Sequence, residues 1–479
     1  MARIFGHRWV LTKTFLVFIV ETGIIFSVSL LATFVRFEDR YDDILYAQRG
    51  LYKIAMTTLV SQFIFYLFSL YDISKPRLRR ELLIDLLQAA GAVIFVFGLI
   101  FTFRPTLLLG YLDLSGGTDG SPYGRGVTLL SMVIALTLMI CWRLMIHWVM
   151  RHPRLGERML IVGTDKLARD VAHEARLRLD LGYKVIGFVS EAPDRPTDRS
   201  LNPPVLGVVS DLYLLVEQHS IDRVIVALED RRGHLPVDQL LKIRLEGRAV
   251  IEEGTSLYEK LTGKISIEML RPSWLIFSAG GKRTNFWYSL RRLFNIILAI
   301  LGLVITLPVL ALAAIAIRLD SRGSVFYRQE RVGQHGKIFR IIKLRSMRVD
   351  AESDGQPQWA QTDDPRITRV GRFMRKMRID EIPQFVNILR GEMSFVGPRA
   401  ERPFFVEQLV QRIPYYEQRH LVEPGLTGWA QVNYGYGSTV EDAVQKLQYD
   451  LYYIKNVSLF FDFWIIIKSI RIVLFGYGR

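Results

Sequence analysis

Four apolar stretches of about 20 residues each dominate the first third of this chain. They are Lys13–Arg36, Leu51–Tyr71, Glu81–Phe103 and Val127–Met150. A helix of that length spans a bilayer while satisfying its own backbone hydrogen bonds. The stretches therefore predict four transmembrane helices in an amino-terminal domain, residues 1–152. The first stretch is too long for a signal peptide and no small-residue cleavage site follows it, so we expect it to be retained.

Basic residues near the helix ends predict the orientation of these helices. Ten Lys or Arg lie on the side that holds the amino terminus, against six on the other side. Since basic residues accumulate on the cytoplasmic side, both ends of the bundle are predicted to face the cytoplasm. Apart from Glu21, Arg143 and His147 near their ends, the spans hold no set of acidic or basic residues that could act as a relay. The helices are therefore predicted to anchor the protein rather than to transport a solute.

Composition agrees with a membrane protein of several domains. The chain has 479 residues, half of them hydrophobic, and a net charge of +15. A basic protein with apolar segments is expected to meet anionic lipid head groups or phosphorylated substrates, and we predict no nucleic-acid partner. The single Cys141 excludes an intramolecular disulfide and a multi-cysteine metal site.

Residues 153–255 alternate short apolar runs with helical patterns, which predicts a Rossmann-like, doubly wound parallel α/β domain. The predicted strands are Met159–Val162, Lys184–Val189, Val205–Val208 and Arg223–Ala227, and the predicted helices are Leu167–Leu181 and Asp211–His219. The first strand-to-helix turn runs from Gly163 to Ala168 and has Asp165 where a dinucleotide-binding motif needs its second glycine. A carboxylate there would oppose a pyrophosphate, so a structural or oligomerising role is favoured over nucleotide binding. Residues 256–290 are predicted to be a linker.

A fifth apolar stretch, Leu293–Ile317, is long enough to cross the membrane as a straight helix. Crossing would place the last 160 residues outside the cell. Pro308 stands near its middle, however, and a proline there removes a helix hydrogen bond and favours a bend. Two interpretations follow: a kinked fifth transmembrane helix, or a re-entrant helix that enters and leaves by the same face.

The next segment is rich in cations. Residues 318–402 hold 18 Lys or Arg and 11 Asp or Glu, which suits a substrate with several phosphates. Within it, Pro383 and Gly391 delimit a short helix with Asp380 at its amino terminus, where helix N–H groups favour anionic oxygen. A carboxylate and a phosphate can share such a place if a divalent cation offsets their repulsion. The adjacent Glu381 points elsewhere, so the two acids are expected to have different roles, although helix capping alone would also explain them.

From about Arg291 to the carboxyl terminus the chain resembles the catalytic domain of the bacterial sugar transferases, the monotopic polyprenyl-phosphate phosphoglycosyl transferases. Six motifs in order carry the resemblance: FYRQERVG at 326–333, KLRSM at 343–347, IDEIPQ at 379–384, GEMSFVGPR at 391–399, PGLTGWAQV at 424–432 and YDLYYIKN at 449–456. The resemblance implies a membrane α+β fold: a four-helix transmembrane bundle, the Rossmann-like middle domain, and a monotopic catalytic domain at 291–479. The re-entrant helix would be residues 291–318, bent at Pro308.

The resemblance also implies a two-step reaction. Asp380 would attack the β-phosphate of a UDP-sugar, giving an aspartyl sugar-phosphate and UMP, and polyprenyl phosphate would then take the sugar phosphate. Glu381 would help to bind Mg²⁺ with Asp380. The phosphate-binding residues would be Lys343, Arg375 and Arg399, with Arg345, Arg378 and Gln384 as further candidates.

The helical anchor and middle domain are similar in layout to the large members of this family, which prime exopolysaccharide, O-antigen or capsule synthesis. This similarity implies a multi-pass protein of the bacterial inner membrane, a catalytic domain facing the cytoplasm, and a homodimer. UDP-glucose and UDP-galactose are the leading substrate hypotheses.

Several alternatives stay open at this point. The chain could be a membrane oxidoreductase or sugar-modifying enzyme that uses the Rossmann-like domain, or a non-enzymatic scaffold of polysaccharide export. The glycine-rich segment Pro424–Gly437 could be structural or could contact the nucleotide sugar. The final stretch Ser458–Phe475 could lie in the membrane interface or in the core of the domain.

Overall fold

A computed structural model describes most of the chain. The described residues are 5–37, 42, 45, 50–68, 70, 79–103, 133–145, 157–178, 182–191, 202–228, 235–268, 270, 285–348, 364–435, 437 and 439–475. They divide into two compact units, Met1–Leu261 and Thr262–Arg479. Each unit is described by itself below.

The first unit begins with four helices, one in each predicted span. They are α1 (Phe5–Phe37), α2 (Gly50–Leu67), α3 (Arg79–Phe103) and α4 (Val133–Met145). Within α1, residues Val17–Val35 are long and apolar enough to cross a membrane, whereas α3 and α4 contribute shorter apolar stretches. The sequence therefore located the helices; that they form a transmembrane bundle stays a prediction.

An ion pair joins the first and fourth of these helices. The guanidinium of Arg143 donates to both carboxylate oxygens of Glu21, at 2.5 and 3.0 Å, and Glu21 is fully buried. Around it, the helices share an apolar core that includes Phe65, Val93 and Met139. Charged residues in such surroundings are tolerated when they are paired. The predicted anchoring role fits this pairing, since the two charges satisfy each other.

The predicted parallel sheet is present and has five strands in the order β3-β2-β1-β4-β5. Its elements are β1 (Glu157–Val162), α5 (Lys166–Leu177), β2 (Tyr183–Ser190), β3 (Val205–Val208), α6 (Leu212–Gln218), β4 (Arg223–Val226), α7 (Val237–Leu245), β5 (Val250–Glu253) and α8 (Gly254–Thr262). All four strand pairs are parallel, and the central strands β1 and β4 are buried. The prediction missed β5 and the helices on either side of it because these elements are short and charged or polar residues interrupt their apolar ones.

The turn after β1 is tightly packed. Gly163 has φ of +113°, and a Cβ there would lie 2.5 Å from the carbonyl oxygen of Ala227 at the end of β4. Glycine is required here because β1 and β4 approach each other at the switch point of the sheet. Asp165 precedes α5 in an extended conformation and makes no side-chain capping hydrogen bond. Whether this turn is structural or binds a nucleotide stays a prediction.

The second unit contains the remaining elements. They are α9 (Asn285–Asp320), β6 (Phe326–Val332), β7 (Ile338–Leu344), α10 (Arg369–Lys376), a 3₁₀ helix (Ile379–Gln384), α11 (Phe385–Arg390), β8 (Ser394–Val396), α12 (Pro403–Arg412), β9 (Gly425–Thr427), α13 (Trp429–Asn433), α14 (Val440–Asn456) and α15 (Leu459–Phe475). β6 and β7 form an antiparallel hairpin, and β8 pairs with β9 in parallel. Ile265 and Ile267, from the predicted linker, belong to the core of this unit.

Helix α9 carries the fifth apolar stretch without a break in its helical assignment at Pro308. Its span Phe286–Asp320 has a mean hydropathy of 2.9, and only 6% of the apolar stretch is buried. A core helix of a soluble protein would be mostly buried, so this exposed apolar helix indicates a membrane protein. Thr306 Oγ1 donates to the carbonyl of Gly302 at 2.6 Å, and therefore does not satisfy the Val304 carbonyl that Pro308 leaves without its N–H partner. The path of α9 through the bilayer stays a prediction.

The start of α9 is held in the unit by a buried arginine. Arg291 is 5% exposed and donates through Nε to Asp462 at 2.8 Å, and through Nη2 to the Val396 carbonyl at 2.8 Å and the Tyr453 hydroxyl at 2.9 Å. These partners lie in α15, β8 and α14. One side chain thus joins the apolar helix to three separate elements.

Candidate active site

The predicted acid pair lies at the start of a short helix, as expected. The 3₁₀ turn Ile379–Gln384 continues into α11, and Gly391 ends it with φ of +83°. Arg378, just before the turn, adopts a left-handed conformation with φ of 55°. Asp380 and Glu381 are 7% and 8% exposed. The local sequence therefore places two neighbouring carboxylates in a buried position.

The two carboxylates have different partners. Glu381 Oε1 accepts from Arg399 Nη2 at 2.9 Å and from Lys343 Nζ at 3.3 Å, and its Oε2 lies 3.5 Å from Arg378 Nη1. By contrast, Asp380 Oδ1 is buried and has no hydrogen-bond partner among the described residues. A buried acceptor without a donor is rare in proteins, and a catalytic role or a bound water or ion commonly accounts for one.

Burial and neighbouring charges shift the pKa values of Asp380 and Glu381 in opposite directions. Burial raises the pKa of the Asp380 carboxyl, and the adjacent charge of Glu381 raises it further, against the opposing effect of Lys343 and other cations. Burial would also raise the pKa of Glu381, but Arg399, Lys343 and Arg378 hold that pKa well below its usual range. Glu381 is therefore a fixed anion. Asp380 is a carboxylate whose charge its surroundings stabilise poorly, which favours reaction with an electrophile.

The β6–β7 hairpin brings Lys343 to the acids. Lys343 pairs in register with Tyr327, and Gln329 and Arg331 follow on the same face of β6, since side chains alternate along a strand. Burial lowers the pKa of Lys343, and the charge of Glu381 opposes that shift. Glu381 therefore favours the charged form of the lysine.

A crowded loop fixes Arg399. A Cβ at Gly425 would lie 2.1 Å from the backbone nitrogen of Gly397, and one at Gly428 would lie 2.2 Å from the carbonyl oxygen of Gly397. The motifs GPR and PGLTG therefore pack backbone against backbone, which side chains at these positions would prevent. The first part of the glycine-rich segment is thus structural. Its second part, from Gln431 to Gly437, reaches a cavity.

That cavity, of about 520 Å³, is large enough for a nucleotide sugar. Its wall includes Asp380 and eleven basic residues: Arg331, Lys343, Arg345, Arg348, Arg366, Arg375, Arg378, Arg399, Arg402, Arg419 and Lys446. Asp380, Glu401 and Asp450 are the carboxylates in that wall within the described part of the chain. An excess of cations around one poorly stabilised carboxylate suits a ligand with two or more phosphates.

The remaining predicted site residues take different positions. Arg375 lines the cavity and donates to Ser346 Oγ at 2.9 Å. Arg345 also lines it, but its guanidinium donates to the carbonyls of Ser321 and Arg322 beyond α9, both at 2.8 Å. Gln384 is 3% exposed and lies in a small separate cavity beside Lys343 and Arg399.

Sequence reasoning missed a buried polar cluster at the other side of the cavity. Arg419 Nη2 lies 3.0 Å from Asp450 Oδ2, both side chains are almost fully buried, and Arg419 also bonds the Tyr416 hydroxyl. Burial raises the pKa of Asp450 to about 6, with Arg419 opposing. Arg419 Nη2 donates to the Arg399 carbonyl at 3.1 Å, so the cluster supports the arginine that holds Glu381. The signal available was Asp450 within the YDLYYIKN motif.

The final helix combines both interpretations of its sequence. In α15, Asp462 and Ile465 are buried in the unit, whereas Phe460, Phe463 and Ile470 are 59%, 51% and 44% exposed. One face therefore packs in the core. The other offers apolar side chains to the surroundings, as an interfacial helix would.

Comparison with known proteins agrees with these features. Residues 286–476 match the family described as bacterial sugar transferase, and residues 67–242 match a family described as a CoA-binding domain. The chain is 32% identical over 427 residues to a UDP-glucose:undecaprenyl-phosphate glucose-1-phosphate transferase of Xanthomonas campestris pv. campestris, covering 87% of this chain and 85% of that protein.

Two further relatives match shorter parts of the chain. The chain is 43% identical over 221 residues to a UDP-N-acetylgalactosamine-undecaprenyl-phosphate N-acetylgalactosaminephosphotransferase of Aeromonas hydrophila, which is 46% of this chain and 51% of that protein. It is also 43% identical over 183 residues to a UDP-glucose:undecaprenyl-phosphate glucose-1-phosphate transferase of Escherichia coli K12, covering 38% of this chain and 39% of that protein. The matched part thus spans about half of the Aeromonas relative and less of the Escherichia one.

Proposed function

Because this chain belongs to the bacterial sugar transferase family of phosphoglycosyl transferases, we propose that it transfers a hexose-1-phosphate from a UDP-sugar to undecaprenyl phosphate. One observation carries the proposal: the buried Asp380 Oδ1 has no donor among the residues that the structure describes, although Asp380 lies in the wall of a cation-lined cavity. The names of the relatives supply the two substrates, since all three act on undecaprenyl phosphate. They differ in the sugar, so glucose, galactose and N-acetylgalactosamine are all to be tested.

In the first step, an oxygen of the Asp380 carboxylate attacks the β-phosphorus of the UDP-sugar. A bond forms between that oxygen and phosphorus, the bond to the bridging oxygen breaks, and UMP leaves with the electron pair. Covalent catalysis of this kind divides one difficult displacement into two. The raised pKa of Asp380 makes its carboxylate a stronger nucleophile, while the cations of the cavity stabilise charge on the phosphoryl oxygens.

In the second step, a phosphate oxygen of undecaprenyl phosphate attacks the phosphorus of the aspartyl sugar-phosphate. The bond to Asp380 breaks and the free carboxylate returns. The product is undecaprenyl diphosphate sugar, which primes a surface polysaccharide such as exopolysaccharide, O-antigen or capsule. Lys343 and Arg399 would hold phosphate oxygens in both steps, and Glu381 fixes the position of both cations.

The residues present are compatible with Mg²⁺. Among the described residues no group of three or more His, Cys, Asp and Glu could hold a metal by itself. Mg²⁺ is commonly held by one or two carboxylates together with substrate phosphates, however, and the unpartnered Asp380 Oδ1 fits that pattern. Asp380 and Glu381 would be its protein ligands, and the ion would offset charge on the diphosphate.

We further propose that the catalytic unit faces the cytoplasm at the bacterial inner membrane and that the full protein is a multi-pass homodimer. Nucleotide sugars are cytoplasmic substrates, and a re-entrant α9 bent at Pro308 would keep the site on that side. The basic residues counted above support this orientation. The exposed apolar side chains of α9 and α15 support contact with one leaflet.

The decisive experiment uses the full chain, purified in detergent, with undecaprenyl phosphate and a panel of UDP-sugars. UMP release and the lipid-linked product are measured for the wild type, Asp380→Asn and Glu330→Gln. Glu330 is an exposed β6 residue that pairs only with the exposed Arg340 among the contacts described, so its variant is the matched control. Phosphate from β-labelled UDP-sugar should remain on the wild-type protein when the lipid is omitted. Turnover by Asp380→Asn at the wild-type rate would contradict the proposal.

A further inference from the structure

A second, much smaller cavity lies beside the acid pair. It measures about 10 Å³, the space of a single water molecule or oxygen atom. Its polar lining consists of Arg331, Lys343, Gln384 and Arg399, and its apolar lining of Ile341, Met393, Ala400 and Gly425. Two of the four polar residues, Lys343 and Arg399, also hold Glu381. The small cavity therefore adjoins the candidate active site through these two shared residues.

Two donors of this cavity have no partner among the residues that the structure describes. Gln384 is 3% exposed, and its Nε2 is buried without a hydrogen bond. The Nε of Arg331 is likewise buried and unpaired. Each such donor costs free energy unless something accepts from it, and both donors belong to residues that line this one small cavity.

Arg331 is held in place by its other nitrogens. Nη1 donates to the Ala400 carbonyl at 3.1 Å and Nη2 to Gln329 Oε1 at 2.7 Å. The carboxylate of Glu401 lies 3.7 Å from Nη1, a loose ion pair for a side chain that is 17% exposed. Arg331 is thus fixed on β6 with part of its charge unmatched. Burial lowers the pKa of Arg331, Glu401 opposes that shift, and the neighbouring charges of Arg399 and Arg402 add to it.

We propose that this small cavity binds one non-bridging oxygen of the substrate's diphosphate, with Arg331 as a further substrate-binding residue and Gln384, already a phosphate-binding candidate from the sequence, donating to the same oxygen. The chemistry of the lining selects an anionic oxygen: three of its polar side chains are cations and the fourth offers an amide N–H. A water molecule also needs acceptors for its own protons, and the three cationic side chains of the lining have none. A phosphate oxygen needs none.

The inference rests on the proposed function, since the diphosphate is that of the UDP-sugar. It assigns the shared residues a double role: Lys343 and Arg399 touch Glu381 on one side and the small cavity on the other. A diphosphate with one oxygen seated there would lie next to Asp380, which orients the phosphorus for attack.

The test measures binding of UDP to the full-length protein in detergent by isothermal titration calorimetry, without any turnover. The variants are Gln384→Met, which keeps volume but removes the N–H, Gln384→Glu, which places a carboxylate in the pocket, and Arg331→Lys, which keeps charge but removes Nε–H. We expect Gln384→Met and Arg331→Lys each to weaken binding by about tenfold, and Gln384→Glu by more than that. Arg340→Lys, at a residue whose side chain is 71% exposed, is the matched control and should bind like the wild type.

Thermal unfolding of each variant, without ligand, separates a binding defect from misfolding. Wild-type affinity in Arg331→Lys and Gln384→Met, in protein of normal thermal stability, would overturn the proposal and leave the proposed function intact. Lower thermal stability with unchanged UDP affinity would assign the cavity to a structural water, which also overturns it. Absence of UDP binding by the wild type itself would instead reject the proposed function.

Discussion

Asp380 and Glu381 are neighbours in the chain, yet one carboxylate is bound by three cations and the other leaves an oxygen without a donor. Glu381 is held at 2.9 Å by Arg399 and at 3.3 Å by Lys343, whereas Asp380 Oδ1 is buried and has no partner within the described part of the chain. The difference arises because successive side chains of a 3₁₀ turn point about 120° apart. It supports the proposed positioning role of Glu381 and the proposed reactive role of Asp380.

Asp380→Asn should lower UMP release by a factor on the order of 10⁴, because an amide cannot serve as the nucleophile.

The same variant, Asp380→Asn, should unfold at a higher temperature than the wild type at neutral pH. Folding raises the pKa of Asp380. The wild type therefore loses stability as the pH rises through the folded pKa and this carboxyl ionises, and the asparagine variant has no such loss. An inactive but less stable Asp380→Asn would contradict this account of its surroundings.

Activity should fall as pH drops through the raised pKa of Asp380, because the protonated acid is no nucleophile. Glu381→Gln removes the neighbouring anion that helps to raise this pKa, so the acid limb of kcat/KM should move to lower pH. The profile is measured from acidic to neutral pH by UMP release, with Glu330→Gln as the control. An acid limb in Glu381→Gln at the wild-type position or above it would argue against a titrating Asp380.

Arg399→Lys should lower activity by roughly 10- to 100-fold even though the positive charge is retained. The lysine cannot reproduce the planar donor set that Glu381 and a phosphate require together. Arg340→Lys on the exposed side of the hairpin should have no effect. Equal activities of these two variants would show that only the charge of Arg399 matters.

Gly302→Val should impair activity by displacing α11, the helix that follows Asp380, from the apolar helix α9. A Cβ at Gly302 would lie 2.5 Å from the ring of Phe385, the first residue of α11. Gly91→Val is the matched control, because a Cβ at Gly91 in α3 has no atom within 4 Å. Activity and thermal stability are compared for both, and equal loss in the two variants would mean that valine in any apolar helix is harmful.

Arg291→Met should destabilise the catalytic unit by about 3–5 kcal/mol, since it leaves the buried Asp462 without its cation. The double variant Arg291→Met, Asp462→Leu should recover part of this loss because no unpaired charge then remains. Denaturant unfolding in detergent measures both free energies. A double variant no more stable than the single one would show that Tyr453 and Val396, not the ion pair, are the important partners.

Several elements could be predicted from the sequence because their signals are local. Apolar runs located α1 to α4 and α9, alternating runs located β1 to β4, and the glycine and proline around Asp380 delimited its helix. The motifs also identified Asp380, Glu381, Lys343 and Arg399 as one site. β5 and α8 were missed because both elements are short and charged or polar residues interrupt their apolar ones, and the short 3₁₀ geometry at Asp380 was not distinguishable from an α-helix.

The sequence by itself determined which residue types would meet a diphosphate, since motif order and charge are properties of the chain alone. Only the tertiary structure decided that Arg345 holds the carbonyls after α9, that Arg331 and Gln384 share a small cavity, and that Arg419 and Asp450 support Arg399. The physical reason is that free hydrogen-bonding capacity depends on which partners folding brings within about 3 Å, and those partners lie far apart in sequence.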